Sequence, residues 1–287
     1  MYFFAQPVQG KDAAKAAHGY CKACGQRKRN ACNNKQPERG KNMADEQGAW
    51  IMQGMDWDDP RRIKTYRELI SLVNETGFLP LFKNEIERFS AEEHVSPLYW
   101  WTGDREQDPW VWRELIAGTG EVAYGKFFGR KAGFISMEWL PVFVNFRRDG
   151  YDFDARWDDE LAGIRHKGIM DCFGNSPGDG IAEYTGLQLK QLAGFGKGGH
   201  KNFDGIMTDL QMQTYLVIKE FRRKRNRKGQ EYGMPVCVYC RPEDLWGYEV
   251  VTGSYREESL RSKEKIYGRL KELYPDADGK AADRILR

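Results

Sequence analysis

The sequence predicts an α+β fold of two winged-helix-like modules in tandem, each a helix pair followed by a β-hairpin, and three observations predict it. Apolar residues recur at three- and four-residue steps in several separate segments, as in amphipathic helices. Two pairs of β-rich segments, at 121–137 and 215–239, flank short turns containing glycine, as in hairpins. Ahead of the second hairpin, two short helical segments surround a glycine turn, the arrangement of a helix-turn-helix. A chain of 287 residues, 40% hydrophobic and 13% aromatic, has the material for one large core or two ordinary ones.

Residues 1–55 are rich in Gly, Lys, Asn and Gln and lack sustained apolar periodicity after Met1-Tyr2-Phe3-Phe4, so a disordered extension is expected there. His18, Cys21, Cys24 and Cys32 within it could form a small zinc knuckle, but the spacing is incomplete and free thiols on a flexible tail are the stronger reading, so no metal or other cofactor is assigned.

The first module is expected over 56–150. Asp58-Asp59-Pro60 opens a helix in which Ile63, Tyr66, Leu69, Ile70 and Val73 share a face, until Gly77 stops it. After a connection rich in Phe and Leu, Asp108-Pro109 opens a second helix, stopped by Gly118 and Gly120. Glu121–Phe128 and Gly133–Met137 flank Gly129-Arg130-Lys131 as a hairpin, and Trp139–Arg148 is helical with Pro141 in its first turn.

The turn Arg147-Arg148-Asp149-Gly150-Tyr151-Asp152 marks the boundary to a second module over 151–250. Trp157–Phe173 reads as one helix, with Trp157, Leu161, Ile164 and Ile169 inward, ended by Gly174-Asn175-Ser176-Pro177-Gly178. Thr185 caps a short helix from Gly186 to Ala193, a second runs from about Asn202 to Met212, and Tyr215–Phe221 and Met234–Tyr239 are strands. A tail over 251–287 is helical around Leu260, Ile266, Tyr267 and Leu270.

The net charge is only +3, so any affinity for a polyanion must come from charge placement. The connection between the last two strands places Arg222, Arg223, Lys224, Arg225, Arg227 and Lys228 around Asn226 and Gly229. Duplex DNA, which releases counterions on contact with such a hairpin, is the expected partner, while a solvated surface loop is the plainer reading of any charge run. In the glycine turn, Gly194, Gly196 and Gly199 match G-x-G-x-x-G, but a helix precedes them where a dinucleotide site needs a strand. The turn instead offers Lys197, His200 and Lys201 to a phosphate backbone, or serves structure alone.

No run of eighteen apolar residues and no secretory signal is present, so a membrane role is not expected. Six sparse cysteines suit reduced thiols, and a cytoplasmic location is expected. Cys237-x-x-Cys240 lies in an apolar strand, where core and edge positions explain it better than a metal pair. Trp100, Trp101, Trp110 and Trp112 could stack an extruded base, but core packing is the stronger expectation.

Leu210-Gln211-Met212-Gln213 resembles the Leu-Gln-x-Gln signature of the AlkZ/YcaQ-like winged-helix DNA glycosylases, and the run from Tyr99-Trp100-Trp101-Thr102-Gly103-Asp104 to Leu245-Trp246-Gly247 resembles bacterial AlkZ-related proteins. The resemblance spans about residues 60 to 250. It implies DNA repair, with Gln211 and Gln213 serving excision of alkylated bases by hydrolysis of the N-glycosidic bond. A glutamine amide does not titrate usefully, so the pair would orient water and stabilise a cationic sugar, and it would need the helix-to-strand junction to act together. A non-enzymatic DNA-binding or regulatory winged-helix protein is the alternative, and a protein-interaction domain a third.

Overall fold

The computed structural model describes residues 52–174 and 180–287. The candidate zinc knuckle and the Asn175–Gly178 turn lie outside them. The described chain is α+β, with many short helices around two small antiparallel sheets.

Helix α1 (Tyr66–Thr76) begins later than Asp58-Asp59-Pro60 suggests, because Thr65 is the residue that caps it, accepting from the Glu68 amide at 3.2 Å. Asp59 instead grips Arg61, whose guanidinium and amide pull its carboxyl down to about 2. Strand β1 (Phe78–Pro80) hides in the Phe/Leu-rich connection, where all three residues are buried and alternation gives no signal. Helix α2 (Pro109–Thr119) opens on Asp108, which accepts from the Trp110 amide, and runs through Gly118 to a left-handed Gly120. Strands β2 (Val122–Phe128) and β3 (Lys131–Ser136) form the first hairpin, and helix α3 (Leu140–Arg148) tolerates Pro141 in its first turn. Arg147 and Arg148 belong to α3, so the turn itself is Asp149-Gly150.

The expected helix Trp157–Phe173 is two helices, α4 (Phe153–Asp158) and α5 (Ile164–Gly174). Glu160 takes a left-handed conformation between them, and Leu161 and Ile164 face solvent instead of the core. Strand β4 (Tyr184–Thr185) leads into α6 (Gly186–Leu192), fixed by a capping box between Thr185 and Gln188, and α7 (Phe203–Met212) follows the glycine turn. Strands β5 (Val217–Arg225) and β6 (Glu231–Cys240) are longer than expected, so Arg222–Arg225 are strand residues and the connection is only Asn226–Gln230. Helices α8 (Pro242–Trp246), α9 (Tyr248–Val251), α10 (Ser259–Leu273) and α11 (Gly279–Leu286) complete the chain.

Both sheets have the same strand order, first-third-second: β1-β3-β2 and β4-β6-β5. One hydrophobic cluster gathers Ile63 to Val144 together with Val217, Ile218, Cys240, Val251, Ile266, Leu270 and the inner face of α11. A second gathers Phe153, Ile169, Met170, Phe173, Leu189, Phe195, Met207, Leu210 and Leu216. The tail finds its partner in α3, where Asn145 donates to the Glu257 carbonyl and the Ser262 hydroxyl, while Leu260 is exposed. Trp112 and Trp100 are core residues, Trp110 lies against Phe82, and Trp101 reaches the surface. Cys240 is buried and Cys237 half-buried. No helix among the described residues is long and apolar enough to cross a membrane.

Candidate nucleic-acid interface

The β5–β6 ribbon pairs from Val217 opposite Cys240 out to Arg225 opposite Glu231, with register shifts near Lys219 and Arg223. Its root is buried and its outer half is in solvent on both faces. The tip is a built turn: the Asn226 side chain accepts from the amides of Lys228 (2.9 Å) and Gln230 (3.0 Å), and Gly229 adopts the positive φ the turn needs. Arg227 and Lys228 are thereby held at the apex.

Between Val217 and Cys240 stand seven Lys and Arg against two Glu, a local +5 in a chain of net +3. Three of these arginines share their charge. Arg222 pairs with Glu183 (2.6 Å) and Glu220, while Arg223 (3.9 Å) and Arg225 (3.4 Å) lie against Glu231. Lys219 also pairs with Glu183, and Lys219 and Arg222 together hold its carboxyl below the usual range. Lys224, Arg227 and Lys228 make no ion pair among the described residues.

The glycine turn is a compact loop. Phe195 is buried against Phe203, and the His200 amide donates to the Gly194 carbonyl at 2.9 Å. A Cβ at Gly199 would meet that carbonyl at 2.1 Å, so glycine there answers to close packing. Lys197, His200 and Lys201 are exposed. No hydrogen bond or ion pair among the described residues joins this turn to the ribbon.

The two glutamines diverge. Gln211 is buried inside α7, where its Nε2 donates to the Met207 carbonyl (2.8 Å) and its Oε1 accepts from the Lys126 amide (3.1 Å). That amide is free because β2 carries a bulge between Gly125 and Phe128, which takes Lys126 off the ladder. Gln213 caps the C-terminus of α7, half-buried, just before the left-handed Thr214 that turns the chain into β5. Replacing Gln211 with alanine orphans a buried N–H and is expected to cost about 1–3 kcal/mol in chemical denaturation. The Gln213 side chain makes no hydrogen bond among the described residues, and its alanine variant should stay within about 0.5 kcal/mol of the parent.

Asp209 pairs with Arg130 of the first hairpin turn at 2.5 Å, and Asp204 sits in the first turn of α7, where an acid suits the helix dipole. Lys126 was not among the residues the sequence singled out. Its one signal there is a lone cation in an apolar strand.

These features define a mixed helix–strand protein that presents a cationic ribbon beside a helix pair. A model of the AlkZ-related family matches residues 63–287, and the chain belongs to that family. The membership points to a DNA-repair-related function. Neither curated proteins nor solved structures provide a match.

Proposed function

We propose that the chain binds duplex DNA through the β5–β6 ribbon, with α5, β4, α6, α7 and the ribbon read as a winged-helix unit spanning the 151–250 module. The observation that carries the reading is the ribbon's charge: +5 on a narrow, solvated hairpin whose apex cations are positioned by Asn226. The order α5-β4-α6-α7-β5-β6, with β4 on the free edge of β6, supports the winged-helix assignment. Arg222, Arg223, Lys224, Arg225, Arg227 and Lys228 would contact phosphate, with Lys197, His200 and Lys201 as a second contact. Duplex affinity across a salt series, for the parent and a variant lacking the wing arginines, tests this. No binding at low salt would leave a protein-interaction domain as the reading.

Hydrolysis of the N-glycosidic bond of alkylated bases is a second reading, supported by the family membership and the Leu-Gln-Met-Gln run, and it requires Gln211 to leave its bonds to Met207 and Lys126. Base release from an alkylated duplex should disappear in the Gln211→Ala, Gln213→Ala double variant with DNA affinity nearly unchanged. Release that survives in the folded variant removes the glutamines from the mechanism.

A further inference from the structure

The Lys126 side chain is half-buried at an irregularity in β2. It leaves β2 at the bulge, a feature that re-aims side chains, and its own backbone amide is held by Gln211. The Nζ donates to the Thr208 hydroxyl at 3.2 Å. That hydroxyl gives its one proton to the Asp204 carbonyl at 2.7 Å, so towards Lys126 it can only accept. One amine hydrogen is therefore directed at Thr208, and the half-buried amine keeps its lone pair and its remaining hydrogens for a further partner. No carboxylate forms an ion pair with it among the described residues.

Its neighbourhood also lies at the root of the ribbon. Cys237 acts electrostatically on both Tyr124 and Lys126, and Tyr124 lies 6.0 Å from Phe221, which pairs with Cys237. The next pair outwards, Arg222 with Val236, begins the cationic half. Burial lowers the proton affinity of the amine against the opposing pull of Asp204 and Cys237, so more of it is neutral near physiological pH than for a solvated lysine.

We propose that the Lys126 amine is a nucleophile for aldehydes and captures the C1′ aldehyde of an abasic sugar as an imine, an inference that rests on the duplex-DNA reading above. The Nζ lone pair bonds to the aldehyde carbon, the C=O bond breaks, and the oxygen leaves as water with both amine hydrogens. No oxidant, reductant or metal is consumed.

The test uses the full chain and a duplex in which a single abasic site has been made beforehand by uracil removal, so that no base excision is required of the protein. Cyanoborohydride should convert the imine into a stable protein–DNA adduct that peptide mapping places on Lys126. Its yield should rise with pH through a midpoint below 10.5, the ordinary lysine value. Lys126→Met should reduce the adduct to the level without reductant while the duplex is still bound. A bound duplex with no adduct, or an adduct mapped to Lys224 or Lys228, overturns the proposal and leaves the DNA-binding reading standing. No binding at low salt removes both. Mapping on the parent protein decides the matter even if the variant does not fold.

Discussion

Replacing Arg222, Arg223, Arg225 and Arg227 together with alanine is expected to flatten the plot of log affinity against log salt for a duplex by up to about four units, about one for each lost phosphate contact. Over a fourfold rise in salt, four contacts amount to roughly a hundredfold in affinity. The intramolecular carboxylates do not prevent this. In the pairs with Glu183, Glu220 and Glu231 the arginines keep about half or more of their side chains in solvent, and exchanging such a pair for a phosphate forfeits only about 0–1 kcal/mol. They do rank the single variants. Arg227 is held at the apex without an acidic partner, so Arg227→Ala should lose the most. Arg222, divided between two glutamates, should lose the least. A slope unchanged in the quadruple variant would move the contact away from the ribbon, with Lys197, His200 and Lys201 next to be tested.

What could be read in the sequence was local. Asp108-Pro109 and Thr185 open α2 and α6 because a cap acts within one turn of its own residue, and the first helix of the pair before the second hairpin follows from that. The inward face of Trp157–Phe173 failed because one left-handed residue, Glu160, resets the helical phase, and nothing in an apolar period reports a backbone angle. The ribbon was found but cut short. The outer half of β5 carries cations on both faces and the outer half of β6 is exposed throughout, so neither shows the alternation that marks a half-buried strand. The fate of Gln211 was beyond any local rule: its partner is an amide freed by a bulge 85 residues earlier. Lys126 stayed hidden for the same reason, since its chemistry comes from Thr208 and Asp204 on another element.

Two adjacent arginines at the end of α3 should respond oppositely to the same change. Arg148 is buried where the two hydrophobic clusters meet: it donates to the Thr214 hydroxyl (3.3 Å) and carbonyl (2.7 Å), to Tyr255, and to Glu243 on α8. Burial opposes its charge, but Glu243 and Tyr255 outweigh that and hold its proton affinity above the ordinary arginine value. Arg148→Met leaves the Glu243 carboxylate and the Thr214 carbonyl without their partner, and breaking a buried pair from one side costs about 3–5 kcal/mol. In a chain of this size that corresponds to a fall in Tm of roughly 10 °C. Adding Glu243→Gln should return part of the loss, because the abandoned charge is then gone. Arg147 pairs with no carboxylate among the described residues. Burial pushes its guanidinium down to about 9, still charged at neutral pH, and its Nε and Nη1 find no hydrogen-bond partner among the described residues. The Phe127 carbonyl, the Leu286 carbonyl at the negative end of α11 and the Phe128 and Phe143 rings compensate it. Arg147→Met removes a desolvated cation while keeping the volume, so its Tm should stay level or rise. A loss as large as that of Arg148→Met would show that the carbonyls and rings around Arg147 replace a counter-ion in full.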